Sequence, residues 1–437
     1  MPTTRAQRAR MTRFIIDLPA DALAHVLYYL TFAHDIAAAA TLCRAFRHAA
    51  RITFKARPYS NKVVTLNGHA ALDGNGHNAL VGSVAAVPDH VITGSGTDIK
   101  LWRDEVCVRT IKAAQGERPV HPTTRISKLA ALPGGERIIC CWGNGTVQIY
   151  TLDGTCECQF LVQDFVKRPP ETLWYHWYMI SSLVVMPDGV HFLIGLMGGE
   201  IRMYHVDGTM VYTIDAHICE QYPALGVNVA ALAVTTDGKH IVSGATSELG
   251  PYGPTGELTQ GGPTAAKVWK VDTQELLSTC LPPPYGHLAP EAARWPGHAG
   301  GVHAVAVVPG SRRFLSADGN GSLHVWLLDG TLVNTFRGLS ANSHSGLHVL
   351  PDRQHAMCAS SRCDMALEQY VGGSVIFRVD DGTILRHFTH HKNVPQQNSS
   401  TLFAFALLPD GLRFVSAGLG QNFACVAYHG LAPPSDM

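Results

Sequence analysis

The chain has no excess of either charge: 34 basic side chains stand against 34 acidic ones in 437 residues. No long-range field gathers nucleic acid or an anionic membrane surface, and neither is expected as a partner. It has no uninterrupted apolar run approaching the length that spans a bilayer, which excludes a membrane helix. It also lacks paired cysteines. Eleven cysteines are present, but no two stand at a Cys-x-x-Cys spacing, and the nearest pairs, Cys140–Cys141 and Cys156–Cys158, fall on strand-like stretches. That excludes a structural zinc or disulfide framework and fits reduced thiols, buried as small hydrophobes, in a cytoplasmic or nuclear protein. No apolar run with a small-residue cleavage site opens the chain, so no secretory signal is read. Residues 1–13, with four arginines and no acid, read as a disordered basic tail, with a transit-like or nuclear-import segment as the alternative.

Catalytic signatures are missing too. "GSGTDIK" and "WGNGTVQ" are glycine-rich but lack the Lys-Ser/Thr and the strand–helix setting of a phosphate loop, so they read as hairpin turns. There is no G-x-S-x-G elbow and no H-E-x-x-H. The pair His390–His391 reads as a solvated loop rather than a metal site. No catalytic residue, metal or cofactor is assigned.

Only 16% of residues are charged and 46% are apolar, so a large core is affordable and bulk disorder is excluded. What fills the chain is a repeat. Its clearest copy is "GHAGGVHAVAVVPGSRRFLSADGNGSLHVWLLDGTLVNTF", Gly297 to Phe336. Four β-branched runs, Val302–Val307, Arg313–Ala317, Ser322–Trp326 and Thr331–Phe336, are separated by "PGS", "DGNG" and "LDGT". Asp-Gly between alternating apolar runs is a strong hairpin signal. Aligning on the residue that ends the first run gives Pro88, Pro133, Pro187, Thr236, Pro309, Pro351 and Pro409, seven units spaced 45, 54, 49, 73, 42 and 58 residues apart. Third runs end in "IKLW", "VQIY", "IRMY", "AKVW", "LHVW", "VIFR" and "ACVAY".

Four antiparallel strands that open with Gly-His and carry Trp at the end of the third resemble one blade of a WD-repeat β-propeller. The expected fold is therefore mainly β, a seven-bladed WD40-type propeller over residues 62–430, with 431–437 as a tail. The seventh unit has no fourth strand, and the orphan strand "KVVTL" at 62–66 would close the last blade, leaving no open edge. In the family the blade His is hydrogen-bonded to a Ser and, through it, linked to a Trp. Here that implies His298, Ser316 and Trp326, weakened because Asn320 replaces the usual acid, with His77 in the same phrase and His69 and His217 as variants.

The resemblance puts short turns on one face and long insertions on the other. The insertions are Lys112–Arg125, Val162–Tyr178, Ser247–Thr264, Cys280–His298 and Ser361–Gly373, and elaboration of one face of a rigid scaffold marks it as the recognition surface. Exposed aromatics are interface anchors, so Trp174, Trp177, Tyr178 and Tyr252 are candidate contacts, although Trp174 and Trp177 equally suit packing of their own loop. The central opening on that face is expected to be lined by Leu80 and Gly82, Arg125 and Ser127, Met179 and Ser181, Asn228 and Ala230, Gly301 and His303, Ser343 and Ser345, and Thr401 and Phe403. Arg125, Asn228, His303 and Phe403 join the candidate substrate-binding set. With one arginine in that ring, a mostly neutral, aromatic-lined site is favoured over a reader of phosphorylated peptides.

The front of the chain differs. In "DLPADALAHVLYYL", Leu23, Val26, Leu27 and Leu30 fall at i, i+3, i+4 and i+7, Asp17 can cap, and Pro19 sits where its missing N–H costs nothing. "HDIAAAATLCRAFRHAAR" repeats the pattern. Two or three short helices cannot bury a core alone and need a partner. This stretch resembles an F-box, with Phe46 where the family more often has Trp. The resemblance implies a small all-α F-box at 14–54, a linker at 55–61, and docking onto a Skp-family adaptor, and through it a cullin. The docking residues would be Leu18, Pro19, Leu23, Val26, Leu27, Leu30, Ile36, Leu42, Cys43 and Phe46. It points to a non-catalytic substrate receptor of a ubiquitin ligase that binds an unidentified target protein. The rivals are a scaffold that engages no ligase, and a propeller enzyme, for which His303 and Arg125 are the only titratable candidates at the opening.

Overall fold

The computed structural model describes residues 19, 22–23, 46, 48–49, 64–65, 81–103, 106–112, 126–162, 180–218, 227–247, 265–281, 301–318, 321–337, 346–364, 369–389, 402–408, 413–418 and 425–430. The chain divides into two compact units, one of Met1–Val64, Leu407–Phe414 and Tyr428–Met437, the other of Thr65–Ala406 and Val415–Ala427.

The described strands build seven four-stranded sheets. After β1 (Val64–Thr65) come β2 (Val81–Val87), β3 (His90–Ser95), β4 (Asp98–Arg103) and β5 (Val106–Lys112). The second sheet is β6 (Ile126–Ala131), β7 (Arg137–Trp142), β8 (Thr146–Thr151) and β9 (Cys156–Leu161). The third is β10 (Ile180–Val185), β11 (His191–Leu196), β12 (Ile201–His205) and β13 (Met210–Ile214). The fourth is β14 (Val227–Val234), β15 (His240–Ser247), β16 (Ala266–Lys270) and β17 (Leu276–Cys280). The fifth is β18 (Val302–Val307), β19 (Arg313–Asp318), β20 (Ser322–Leu327) and β21 (Leu332–Arg337). The sixth is β22 (Leu347–Val349), β23 (His355–Asp364), β24 (Gln369–Arg378) and β25 (Ile384–Thr389). The last holds β26 (Leu402–Leu407), β27 (Arg413–Gly418) and β28 (Cys425–Gly430) in the order β1-β28-β27-β26. The protein is mainly β, and these sheets are consistent with a WD40 propeller.

Cores lie between successive sheets. One cluster joins Ile92, Ile99 and Leu101 to Ile126, Leu129 and Ile138, and another joins Ala304, Leu315 and Val325 to Leu347, Cys358 and Val375. Close approach demands small residues on the second strands. A β-carbon at Gly94 would lie 2.8 Å from Ile126 Cγ2, one at Gly195 2.7 Å from Val229 Cγ1, and one at Gly244 2.9 Å from Val302 Cβ. Fourth strands are the most exposed, with Val106, Met210, Leu276 and Ile384 at their first positions all open to solvent.

In six of the described sheets the pairing of third and fourth strands shifts register just ahead of the third strand's terminal aromatic, at Leu101/Trp102, Ile149/Tyr150, Met203/Tyr204, Val268/Trp269, Val325/Trp326 and Ile376/Phe377. What faces that aromatic depends on its chemistry. Trp102 Nε1 donates to Thr93 Oγ1 at 2.9 Å, Trp269 Nε1 to Ser243 Oγ at 3.0 Å, and Trp326 Nε1 to Ser316 Oγ at 2.8 Å. A buried indole N–H needs an acceptor. Tyr150, Tyr204 and Phe377 need none there, and the matching second-strand residues are Cys140, Ile194 and Cys358. The His–Ser–Trp relay is complete at His217, whose Nε2 lies 2.9 Å from Ser243 Oγ, although the sequence presents this copy only as an Ala-His variant. Of the set expected at His298, the Ser316–Trp326 bond is present, while His298 and Asn320 lie outside the described residues.

The short turns repeat in detail. In "LDGT", "VDGT" and "DDGT" an Asp carboxylate accepts the Thr N–H two residues on, for Asp153–Thr155 at 3.0 Å, Asp207–Thr209 at 2.8 Å, Asp329–Thr331 at 3.0 Å and Asp381–Thr383 at 2.9 Å. The intervening glycine has positive φ, 92° at Gly208 for example, and Gln274 takes the same left-handed place at 58°. In the first-to-second turns Asp89 (65°) and Arg353 (62°) stand where Gly189, Gly238 and Gly310 occupy that conformation elsewhere. The expected long loop at Ser361–Gly373 is corrected: β23 and β24 run on as a paired hairpin to Asp364 and Gln369, because antiparallel pairing continues past the sheet's other strands.

Two outcomes are expected. Ser243→Ala leaves the Trp269 N–H and His217 without their shared partner, costing about 1–3 kcal/mol by denaturant midpoint, and much less in a Trp269→Phe background; equal losses in both backgrounds would refute the coupling. The turn hydrogen bonds hold the carboxyls of Asp153, Asp207, Asp329 and Asp381 below the ordinary range, Asp207 at about 2. A depressed folded-state pKa gives stability that is present above the unfolded value and lost as pH falls through the folded one. Thermal melting temperature should therefore drop between about pH 4 and 2, and less steeply for Asp207→Asn; an unchanged slope would contradict the assignment.

Candidate recognition surface

The first strands of successive sheets lie beside one another, β2 by β6, β6 by β10, β10 by β14, β14 by β18 and β18 by β22. The opening residues of β2, β6, β10, β14 and β18 share one irregularity. Pairing with the second strand shifts register at Val81/Ser83, Ile126/Lys128, Ile180/Ser182, Asn228/Ala231 and Val302/Ala304. The extra residues are Gly82, Ser127, Ser181, Val229 with Ala230, and His303. A bulge re-aims the side chain it carries, and Gly82, Ser127, Ser181, Ala230 and His303 are all partly exposed. These are the positions the repeat alignment assigns to the central opening.

Hydrogen bonds fix this rim. Ser127 Oγ donates to the Cys141 carbonyl at 3.1 Å. Ser181 Oγ lies 3.0 Å from the Gly195 carbonyl and 2.8 Å from that of Val229, tying the third sheet to the fourth. Deeper in, Leu129 N–H donates to Ser83 Oγ at 2.8 Å and Ser182 Oγ to the Val229 carbonyl at 2.6 Å. Asn228, at the start of β14, is partly exposed, and its Oδ1 is buried with no hydrogen-bond partner among the described residues. Such an oxygen is costly to keep unless something else meets it.

Of the candidate substrate-binding residues, Asn228 and His303 come to corresponding ends of the neighbouring strands β14 and β18. Phe403 lies in β26, and its side chain is outside the described set; Arg125, Trp174, Trp177, Tyr178 and Tyr252 also lie outside the described residues. Of the adaptor-binding candidates, Pro19 is exposed, Phe46 is partly exposed and Leu23 is fully buried. Leu23 N–H donates to the Pro19 carbonyl at 3.0 Å, and Ala22, Leu23, Phe46, His48 and Ala49 have helical backbone. Leu18, Val26, Leu27, Leu30, Ile36, Leu42 and Cys43 lie outside the described residues. Among the described residues no group of three His, Cys, Asp or Glu side chains is placed to hold a metal ion.

The sequence reading missed Lys128, which sits beside the bulged Ser127 and is partly exposed. The signal was available: at the fifth residue before the aligned Pro or Thr, the other six units carry Ser83, Ser182, Ala231, Ala304, Gly346 and Ala404.

A family model described as "WD domain, G-beta repeat" matches residues 291–326. The chain contains a WD40 repeat. The match spans β18, β19 and β20 as far as Trp326, the copy in which Trp326 bonds Ser316. No curated protein matches the chain.

Asn228→Ala removes an oxygen that nothing described satisfies. Folding stability should be unchanged or rise by up to ~1 kcal/mol, measured by thermal or chemical denaturation. A loss above ~1 kcal/mol would show that the amide is spent on the fold and is not held ready for a ligand.

Proposed function

We propose that this protein is the substrate-recognition subunit of a Skp-cullin-F-box ubiquitin ligase. A WD40 repeat suggests a protein-interaction scaffold, and the further assignment rests on one observation, the F-box-like pattern of residues 14–54 ahead of the repeats. Pro19, Leu23, Leu27, Leu30, Ile36, Cys43 and Phe46 keep its spacing, and helical backbone at Ala22, Leu23, Phe46, His48 and Ala49 supports it. In this reading the helices hold the adaptor and cullin, and the first-strand openings with the long insertions hold a target protein. The gain is proximity: a target lysine is kept near the charged conjugating enzyme, so the subunit itself needs no chemistry. A cytoplasmic or nuclear setting goes with this role; among the described residues no helix is long and apolar enough to cross a membrane.

A second reading, a scaffold that engages no ligase, is favoured by the full burial of Leu23, which removes one residue of the stripe from direct docking. The two readings separate in a pull-down of the full chain with a purified Skp-family adaptor, beside a Leu18→Asp, Leu27→Asp variant whose β-sheet circular dichroism is checked. A charge placed in an apolar contact abolishes docking. The ligase reading expects capture by the parent chain and at least a tenfold loss (roughly 1.4 kcal/mol) in the variant. No capture by the folded parent chain overturns it and leaves the scaffold.

A further inference from the structure

Two anchored imidazoles stand side by side at the edge of the third sheet that carries its short turns. His191 opens β11, His205 closes β12, and the two are cross-strand partners. Their rings meet edge to face with centroids 5.3 Å apart, and their side chains are 31% and 36% exposed. Each ring is held through Nδ1. Asp188 Oδ1 accepts the Val190 and His191 N–H groups at 2.9 and 3.0 Å, which aims Oδ2 at His191 Nδ1, 2.7 Å away. Asp207 Oδ1 accepts the Thr209 N–H at 2.8 Å and lies 3.0 Å from His205 Nδ1. The Asp207 N–H lies 3.2 Å from that same nitrogen. Among the described residues neither Nε2 has a hydrogen-bond partner.

We propose that His191 and His205 chelate one divalent cation of the zinc class through their Nε2 atoms, with Asp188 and Asp207 fixing the two rings from behind. Imidazole binds such an ion by a nitrogen lone pair, and a Nδ1 proton given to a carboxylate leaves that pair on Nε2. The bound ion therefore holds His205 in the tautomer that donates to Asp207. Zinc–nitrogen bonds of about 2.0–2.1 Å in tetrahedral geometry set two imidazole centroids about 5 Å apart around one ion. The two rings already stand at that spacing. Water takes the remaining positions, as in an open site.

Two sibling sheets supply the contrast. Asp352 anchors His355 Nδ1 in the same way, but the residue across from His355 is Arg378. His240 likewise faces Lys270. A cation beside the ring repels a metal ion, so neither position offers a second ligand. At the His191–His205 pair the neighbouring charges are the two carboxylates, and hydrogen bonds from Thr209 hold that of Asp207 at about 2, fully ionised at neutral pH. Two neutral nitrogen donors suit zinc, copper or nickel, whereas magnesium and calcium take oxygen ligands.

The test uses the full chain, Zn²⁺ alone as the probe, and diethyl pyrocarbonate labelling of each histidine, read by peptide mass spectrometry across a zinc titration at neutral pH. His191 and His205 should lose labelling together, at one midpoint and at lower zinc than His355, and Mg²⁺ should protect neither. His205→Gln should raise the zinc midpoint at His191, and His191→Gln that at His205, each by about tenfold or more, and Asp188→Asn should raise both by about 10–100-fold, the usual cost of losing the carboxylate behind a metal-bound imidazole. Both histidines are partly exposed, so the variants keep the fold, checked by β-sheet circular dichroism. Labelling of His191 and His205 that zinc leaves unchanged, different midpoints at the two, or protection of His191 that survives His205→Gln overturns the proposal.

Discussion

The distance between neighbouring sheets is set where a second-strand glycine receives an aliphatic residue from the start of the next sheet's first strand. Gly94 against Ile126, Gly195 against Val229 and Gly244 against Val302 leave no room for a β-carbon. Apart from the last sheet, which takes β1 from the front of the chain, each described sheet pairs the strands of one repeat, so the ladders themselves do not join one sheet to the next. Packing must do that, and interiors pack at crystal-like density. The cores accordingly form between sheets rather than within them, and the hydroxyls of Ser83, Ser181 and Ser182 add hydrogen bonds across the same junctions.

That junction also explains the surface. A first strand that seats its aliphatic residue against a neighbour, and still pairs with its own second strand, accommodates one extra residue at its start. The bulges at Gly82, Ser127, Ser181, Ala230 and His303 follow, and with them a set of side chains turned away from the core. Their identities are not needed for packing, so they differ between sheets while the buried positions beside them stay small or aliphatic. Lys128 is the one place where the variation reaches the packed position itself.

Much of this was legible in the chain. Pro88, Pro133, Pro187 and Pro309 mark the ends of first strands, and the Asp-Gly-Thr turns announce third-to-fourth hairpins, because a proline cannot extend a ladder and an Asp carboxylate needs the Thr N–H two residues on. The third-strand aromatics were equally visible, as was the bulge rim, which falls on aligned positions. Less visible were features in which one repeat departs from its siblings. The extended β23–β24 hairpin reads as a loop because "SRCDMALEQYVGG" has little alternation and pairs through its backbone. The complete His–Ser–Trp relay sits at His217, where the local phrase is degraded, since burial beside Ser243 matters more than the preceding glycine. Asp89, Gln274 and Arg353 take left-handed turns without the glycine that signals them, so sequence alone gives no notice of them.

Hydrogen exchange on the full chain, with and without a purified Skp-family adaptor, tests the receptor account most directly. The account predicts added protection in peptides covering residues 14–54 and none in the sheets from β2 to β25. Unchanged exchange at 14–54 in the presence of saturating adaptor, or protection confined to the sheets, would contradict it.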